Sequence, residues 1–361
     1  MEWSGIHGEY KDNPFTVYPQ WADPYGCDVA RNHSDHWDAD ICISLVDVWV
    51  CQGYVNSLPN RWIPYFPIDS APVPEEIWGL AKRSIAPVTY SHWGQEELAK
   101  IGMPDVDYVP HGVGDAYRPN REAGKLWRAQ NGIPQDAFLV GAVWANKGNP
   151  SRKNFDGNLR AFAEFAKKHN DAYIYLHCEP SVRYGGVDVW RLVRELGLNG
   201  RVVIPNSYLN VLGYEEDWMA AMYNALDVYL GTTKGEGWGI PVTEAQSVGV
   251  PCIVTDYSAL IEQVDTHNGP KYKAKVAEWE LCPLHSRFAM PDTADVLNGL
   301  EVAYKDWRGG APFPELVKWG EQWYWDEVIT NWWGPFLKKV EHKLNTMPWQ
   351  PGEHPVLSSA Q

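Results

Sequence analysis

The sequence predicts an α/β protein with two domains, each built on a largely parallel sheet. Short apolar runs alternate with segments of helical periodicity, which is the pattern of strand–helix repeats. Several apolar runs are continuous instead of alternating, as expected for strands that are buried on both faces. A length of 361 residues suits two domains, and a hydrophobic content of 45% can supply a core for each.

Eight apolar runs are the predicted strands. They cover residues 39–46, 84–90, 106–110, 137–144, 172–178, 201–204, 226–231 and 250–255. A helix is predicted over 156–170, because Leu159 and Phe162 fall on one face. The segments 218–226 and 241–249 show the same periodicity and are also predicted to be helical.

A segment rich in glycine, proline and charged residues, 111–135, separates the two strand–helix series and predicts a linker. The predicted parts are an N-terminal domain over residues 1–125 and a C-terminal domain over 126–320. Helices that return to the N-terminal domain follow over 321–345, and a loose tail covers 346–361. Five tryptophans are expected to dock these returning helices, with stacking on a sugar as the alternative: Trp319, Trp323, Trp325, Trp332 and Trp333.

Charge and cysteine usage limit the classes of function. A formal net charge of −15 argues against nucleic-acid or anionic-membrane partners, because the mean field is repulsive. The sequence has no long apolar span, and its first residues lack the pattern of a signal peptide, so a cytoplasmic location is expected. The six cysteines show no C-x-x-C spacing and are expected to be reduced thiols.

The stretch "GEGWGIPVTEAQSVGVP" at 235–251 places Glu236 and Glu244 around a glycine-rich turn. Pro241 suits the first turn of a helix, whose free N–H groups would face an anion such as phosphate. Both carboxylates can then accept hydrogen bonds from ribose or sugar hydroxyls at the carboxyl end of the preceding strand. The alternative is that the acid near the helix start only complements the helix dipole.

A second cluster, Arg152, Lys153 and Asn154, lies between a predicted strand and a predicted helix. Two cations in such a loop can hold a diphosphate, with arginine binding in bidentate fashion and lysine as a point charge. The alternative interpretation of this cluster is a solvated basic turn.

Together these features resemble the retaining nucleotide-sugar glycosyltransferases with the GT-B fold, specifically glycosyltransferase family four. The E-x(7)-E element of that family matches Glu236 to Glu244, and its lysine-bearing loop matches "SRKN" at 151–154. The segment 91–119 resembles the exit of the family's N-terminal domain, and "GVPCIVTDYSALIEQV" resembles the strand and loop after the motif. The resemblance spans roughly residues 35 to 340.

The resemblance implies a fold of two Rossmann-like domains facing a cleft, and it implies roles for single residues. Glu244 would bind the ribose of the donor, Glu236 would lie by the donor sugar, and Arg152 and Lys153 would hold and stabilise the departing diphosphate. Further residues implied in donor binding are Gly237, Trp238, Gly239 and Ile240. The implied reaction moves a sugar from a nucleotide-diphosphate sugar with retained anomeric configuration and needs no metal or other cofactor.

The chain departs from the family in two places. Many relatives carry an arginine just after the strand at 137–144, whereas this loop offers Asn146 and Lys147, which become the donor-binding candidates there. The first strand–helix–strand portion of the N-terminal domain is also expected to be absent. Such a loss predicts an uncovered apolar edge at 39–46. The chain is then expected to be poorly soluble alone, to pair with a second copy through that edge, or to be part of a longer product. Weak or no transfer, with nucleotide binding retained, is also expected.

Asp47 and His111 are the candidates on the acceptor side, with capping or turn roles as the alternative. The acceptor would be a saccharide, a lipid-linked sugar or another hydroxyl compound. Two other functions stay open: a non-catalytic nucleotide- or sugar-binding remnant, and a transferase acting on a modified DNA base, against which the net charge counts. The acidic and histidine-rich run at 33–40 matches no metal-ligand spacing and is interpreted as a polar turn.

Overall fold

The computed structural model describes residues 6–10, 13–58, 60–310 and 312–346. A hairpin and a series of strand–helix units form its N-terminal part. Their bounds are β1 (Ile6–Tyr10), β2 (Asn13–Val17), α1 (Ala30–His36), β3 (Cys42–Leu45), α2 (Gln52–Ser57), β4 (Trp62–Phe66), α3 (Glu75–Ala81), β5 (Val88–Thr89), α4 (His92–Lys100) and β6 (Asp107–Tyr108).

The N-terminal sheet is parallel, with the strand order β3-β4-β5-β6. Strands β3, β5 and β6 confirm three of the predicted apolar runs. The sequence does not predict β4, because Pro64 interrupts its apolar run and proline is rare inside a ladder. All of β4 is nevertheless buried, and its C-terminal end leads towards the crevice described below.

Strand β3 is the edge of this sheet. Its Ile43 and Leu45 are 41% and 58% exposed, although both are large apolar side chains. The uncovered apolar edge expected from the sequence is therefore present. The pairing of two copies through this edge stays a prediction.

The second series of elements is longer and ends in an antiparallel hairpin and a long helix. Its bounds are α5 (Arg121–Gln130), β7 (Phe138–Val143), α6 (Phe155–Lys168), β8 (Ala172–His177), α7 (Val189–Glu195), β9 (Val202–Val203), α8 (Ser207–Leu212), α9 (Glu216–Ala225), β10 (Val228–Gly231), α10 (Ile240–Ser247), β11 (Cys252–Thr255), α11 (Ala259–Asp265), β12 (Tyr272–Ala274), β13 (Val276–Leu281), β14 (Arg287–Pro291) and α12 (Thr293–Gly309).

Six parallel strands form the C-terminal sheet, in the order β12-β11-β10-β7-β8-β9. The five strands that the sequence predicts in this part are confirmed, as are the three predicted helices, which are α6, α9 and α10. Strands β12, β13 and β14 are not predicted, because the runs at 272–291 are interrupted by charged residues. The α/β class with two parallel sheets is therefore correct.

Helix α5 lies within the predicted linker and across the predicted domain boundary at 125/126. It packs against the C-terminal sheet through Arg128, whose guanidinium donates to the carbonyl oxygens of Ala225 and Ala137 at 2.7 and 2.8 Å. The same side chain pairs with Asp227 at 2.7 Å, and only 8% and 14% of the two side chains are exposed. A buried ion pair therefore holds this helix in place.

Replacing Arg128 with methionine is expected to lower the free energy of unfolding by about 3–5 kcal/mol, because Asp227 would be left as an unpaired buried charge. Urea unfolding followed by circular dichroism measures the effect. The matched control is Arg191→Met, which breaks the exposed Arg191–Glu195 pair and should cost at most about 1 kcal/mol. Equal losses in the two variants would contradict the role given to Arg128.

The last helices pack against the N-terminal sheet. They are α13 (Pro314–Gly320), α14 (Trp325–Val328), a π-helical turn (Ile329–Trp333) and α15 (Gly334–Thr346). Lys339 on α15 pairs with Asp107 at 2.8 Å, and the Trp323 carbonyl accepts the Val113 N–H at 2.8 Å. No helix in the described ranges is both long enough and apolar enough to cross a bilayer.

The five tryptophans of this region divide between the two sheets. Trp333 packs edge-on against Tyr65, with the ring centroids 5.0 Å apart, and Trp325 packs against Gly112. These two rings therefore lie on the N-terminal side. Trp319 instead donates its indole N–H to Thr266 at 2.9 Å, which lies on the C-terminal side next to α11.

Candidate active site

Two loops at the carboxyl ends of the paired strands β7 and β10 form the candidate site. Asn158 on α6 ties them together, because its amide donates to the carbonyl oxygens of Lys153 and Thr232 and its Oδ1 accepts the Thr232 hydroxyl at 2.6 Å. The Lys234 N–H also donates to the Arg152 carbonyl oxygen at 2.9 Å. These bonds fix the cationic loop of 151–154 against the loop that carries Glu236.

Glu236 contacts both cations of the neighbouring loop. Its Oε1 lies 2.5 Å from Lys153 Nζ, and its Oε2 lies 3.0 Å from Arg152 Nη1. Burial would raise the pKa of Glu236, but the two cations outweigh burial and hold this pKa at about 2. Burial also lowers the pKa of Lys153, which the Glu236 carboxylate offsets in part. The carboxylate is therefore ionised and pairs with both cations.

The N-terminal domain adds a carboxylate that the sequence does not single out. Asp69 Oδ2 lies 3.6 Å from Arg152 Nη1 across the crevice. The backbones of Gly235 and Asp69 also lie close together. A Cβ added at Gly235 would be only 2.0 Å from the Asp69 carbonyl oxygen. Burial raises the pKa of Asp69, while Arg152 lowers it. Asp69 follows β4, and β4 is not predicted from the sequence because of Pro64. The position of Asp69 in the site is therefore known only from the structure.

Asp47, the predicted acceptor-side acid, follows β3 and lies near the same group of charges. Burial raises its pKa, Asp69 raises it further and Arg152 lowers it. A substantial part of the residue nevertheless stays accessible to solvent, so this burial is partial. The structure thus brings Asp47 and Asp69 together on the N-terminal wall, opposite the cations.

Glu244 lies on α10, in a different environment from Glu236. The Tyr223 hydroxyl donates to its Oε2 at 2.6 Å. Burial raises the pKa of Glu244 to about 7, although hydrogen bonds from Tyr223 and Tyr117 lower it, and nearby Glu216 raises it further. The two glutamates of the motif thus have opposite shifts, because Glu236 lies beside two cations and Glu244 lies beside two phenols and an acid.

The turn between these glutamates contains the four other implied donor-binding residues, namely Gly237, Trp238, Gly239 and Ile240. A Cβ at Gly237 would lie 2.3 Å from Pro67 of the N-terminal wall. Gly239 has a φ of 97°, which favours glycine, and it directly precedes α10. The Trp238 ring is buried against Trp323, with centroids 5.1 Å apart.

In the structure the Asn146 side chain has a role that differs from the predicted donor binding. Its amide donates to three backbone carbonyls, those of Glu179, Ser181 and Val187, and its Oδ1 accepts the Val187 N–H at 2.9 Å. The side chain is therefore fully used in holding the loop after β8 and does not point to a ligand. Lys147, next to it, is exposed.

His111 is buried in an aromatic cluster. Its ring centroid lies 4.1 Å from that of Tyr90 and 5.1 Å from that of Tyr65. Burial lowers its pKa to about 4, so the ring is neutral at physiological pH. This environment indicates packing behind the crevice wall, and an acceptor-side role for His111 stays a prediction. No group of three or more potential metal ligands lies together within the described residues.

Residues 138–279 match a family model described as glycosyl transferases group 1. This segment runs from β7 to β13 and includes Arg152, Lys153, Glu236 and Glu244. No curated protein matches the sequence.

Solved structures resemble the chain along most of its length. A sucrose-phosphate synthase from Thermosynechococcus elongatus has a TM-score of 0.70 at 14% identity, covering 94% of this chain and 86% of that one. HepE of Anabaena, in complex with UDP-glucose, has a TM-score of 0.68 at 14% identity, with coverages of 93% and 87%. A glycosyltransferase from Rickettsia africae has a TM-score of 0.61 at 14% identity, with coverages of 92% and 85%.

At such identities these likenesses establish the fold, which is the GT-B arrangement of two parallel α/β sheets around a crevice. The fold and the matched domain together define the class of the protein, a glycosyltransferase.

Proposed function

We propose that the protein is a retaining glycosyltransferase of family four that moves a sugar from a uridine-diphosphate sugar to a hydroxyl of its acceptor. The observation that carries this proposal is the meeting of Arg152 and Lys153 on Glu236, at distances of 3.0 and 2.5 Å, with Asp69 across the crevice. HepE, a structural neighbour, was solved with UDP and with UDP-glucose, which supports a uridine nucleotide as the donor.

The donor diphosphate binds where both cations and the N-terminus of α10 converge. Lysine and arginine have donors to spare after binding Glu236, and the first N–H groups of a helix favour an anion. The Glu244 carboxylate accepts hydrogen bonds from the ribose hydroxyls. Charge on the leaving diphosphate is then neutralised by side chains and by the helix, which is a role that a metal ion plays elsewhere.

During transfer the bond between the anomeric carbon and the diphosphate oxygen breaks. The acceptor oxygen bonds to the same face of that carbon, and its proton passes to the released phosphate. Glu236 is ionised and lies beside the cations, so it orients a donor-sugar hydroxyl and stabilises positive charge on the ring. Asp47 and Asp69 lie on the opposite wall and accept hydrogen bonds from a polyhydroxylated acceptor.

The test is a thermal-shift screen against UDP, GDP, ADP and CDP, because a ligand that binds the native state raises the melting temperature. UDP is expected to give the largest rise. Equal rises with all four nucleotides would contradict uridine selection. A rise with none of them would contradict the nucleotide site itself.

A further inference from the structure

The β13–β14 hairpin joins the two walls of the crevice. On the N-terminal side, the Arg287 N–H donates to the carbonyl oxygen of Ala71 at 3.0 Å, and Ala71 closely follows Asp69 in the chain. On the C-terminal side, the Ala289 N–H donates to the carbonyl oxygen of Lys234 at 2.9 Å. The backbone of one short strand, β14, therefore contacts both walls.

Lys234 is the residue at which this hairpin meets the two loops of the candidate site. Its N–H donates to the Arg152 carbonyl oxygen at 2.9 Å, and its ammonium pairs with the Glu280 carboxylate on β13. Only 4% of the Lys234 side chain is exposed, against 31% for Glu280. Because one partner is buried, water screens this pair less than it screens a surface pair.

The hairpin does not depend on this ion pair for its own formation. Its strands pair along an antiparallel ladder from Val276 and Pro291 to Leu281 and Arg287. The Lys234–Glu280 pair instead attaches the finished hairpin to the loop that carries Glu236. Among the described residues, the Lys234 ammonium pairs with Glu280 alone.

The attached loop carries the charges of the candidate site. Glu236 follows Lys234 by one intervening glycine and binds both Arg152 and Lys153. On its other side, the Glu236 N–H donates to Ser258 Oγ at 3.0 Å. The position of the charge cluster is thus set from two sides, and Lys234 provides the link to the hairpin and so to the N-terminal wall.

We propose that Lys234, through its pair with Glu280, is a positioning residue for sugar transfer, which holds Glu236 and the cationic loop in place against the wall that carries Asp69. This inference rests on the proposed function. The two cations act on charge that develops as the donor bond breaks, and such stabilisation requires donors that are already in position. A displacement of about 1 Å can lower a rate on the order of 100-fold.

The test uses the full chain and compares turnover with UDP affinity. Turnover is UDP release from UDP-glucose, UDP-galactose or UDP-N-acetylglucosamine, whichever the unaltered chain uses. Lys234→Met removes the ammonium but keeps an unbranched stem, and turnover is expected to fall roughly 10- to 100-fold. UDP affinity should change far less, because loops that are no longer held can still close on a ground-state ligand. Lys234→Arg keeps the cation and should retain most of the turnover.

Glu280→Gln tests the same pair from the more exposed side of the hairpin. If the pair acts as a unit, Lys234→Met combined with Glu280→Gln should lower turnover no further than the larger single effect. Glu278→Gln is the matched control, because Glu278 lies on the same strand and is exposed. Its turnover should equal that of the unaltered chain.

The inference is overturned if Lys234→Met and Glu280→Gln turn over as fast as the control, if their two effects simply add, or if only UDP affinity falls. Should Lys234→Met fail to fold, Glu280→Gln decides alone: a loss of turnover at unchanged affinity supports the inference, and turnover equal to the control overturns it. Absence of turnover in the unaltered chain would contradict the proposed function itself, and this inference would fall with it.

Discussion

Turnover of the Lys153→Ala variant is expected to fall by roughly 10²–10³-fold, which is the usual cost of losing one preorganised donor to a developing oxyanion. Lys153 Nζ lies 2.5 Å from Glu236, and only 14% of its side chain is exposed. A buried ammonium is little screened by water, so it acts strongly on charge that develops on the leaving diphosphate. Arg152→Ala should lower turnover by a similar factor, because its guanidinium would hold the same diphosphate. This guanidinium also reaches Asp69 on the opposite wall.

Release of UDP from the donor, coupled to an optical readout, measures these rates. Nucleotide affinity is measured in parallel, because a residue that acts on the transition state lowers turnover more than binding. Lys167→Ala is the control, since Lys167 makes an exposed pair with Glu164. Near-normal turnover in both crevice variants would place the diphosphate elsewhere, and Lys147 would be the next candidate.

Glu244→Ala is expected to weaken UDP binding by about 1.5–3 kcal/mol, or roughly 10- to 150-fold in Kd, because it removes charged hydrogen bonds to the ribose. Isothermal titration calorimetry gives the affinity. Glu195→Ala serves as the control, because Glu195 lies on the exposed face of α7 and pairs only weakly with Arg191. Unchanged affinity in a folded Glu244→Ala protein would remove the ribose assignment.

The raised pKa of Glu244 adds a pH dependence to this prediction. Hydroxyl donors favour the charged carboxylate, whose pKa is about 7 in the ligand-free protein. Below pH 7 the carboxyl binds a proton that the nucleotide must displace, so affinity should rise with pH up to about 7 and then level off. Glu244→Gln cannot titrate and should lose this component, whereas the titration of the UDP phosphate itself remains in both proteins.

Local chemistry made the two loops of the candidate site predictable from the sequence. The β10 run ends at a glycine-rich turn, Gly239 supplies the positive φ before α10, and Pro241 suits the first turn of that helix. Each of these residues suits its position for a reason that is local to the chain. Together they determine where Glu236 and Glu244 lie relative to β10. The opposite pKa shifts of these glutamates depend on partners far along the chain and could not be predicted in this way.

Prediction failed where tertiary packing overrides local preference. Because Pro64 interrupts its apolar run, β4 is not predicted from the sequence. Asp69 follows this strand and is therefore not predicted as a site residue either. Asn146 and Asn158 both lie next to the cationic loop, yet the first holds the loop after β8 and the second joins the two loops of the candidate site. The hydrogen-bond partners of Asn146 are 33 to 41 residues away, and Thr232, which joins Asn158 to the second loop, is 74 residues away. Pairs this distant in the chain cannot be read from one sequence.

The measurement that tests the central claim most directly is ¹H NMR of the anomeric protons while the protein turns over an α-linked UDP-sugar. Because Arg152 and Lys153 meet on Glu236 in the structure, our account predicts loss of the donor signal, where the sequence alone predicts weak or no transfer. It also predicts formation of UDP and a product whose first anomeric signal has the α configuration. A first product with the β configuration would contradict retention. Nucleotide binding without any turnover of UDP-glucose, UDP-galactose or UDP-N-acetylglucosamine would contradict transfer from a UDP-sugar and favour the non-catalytic alternative.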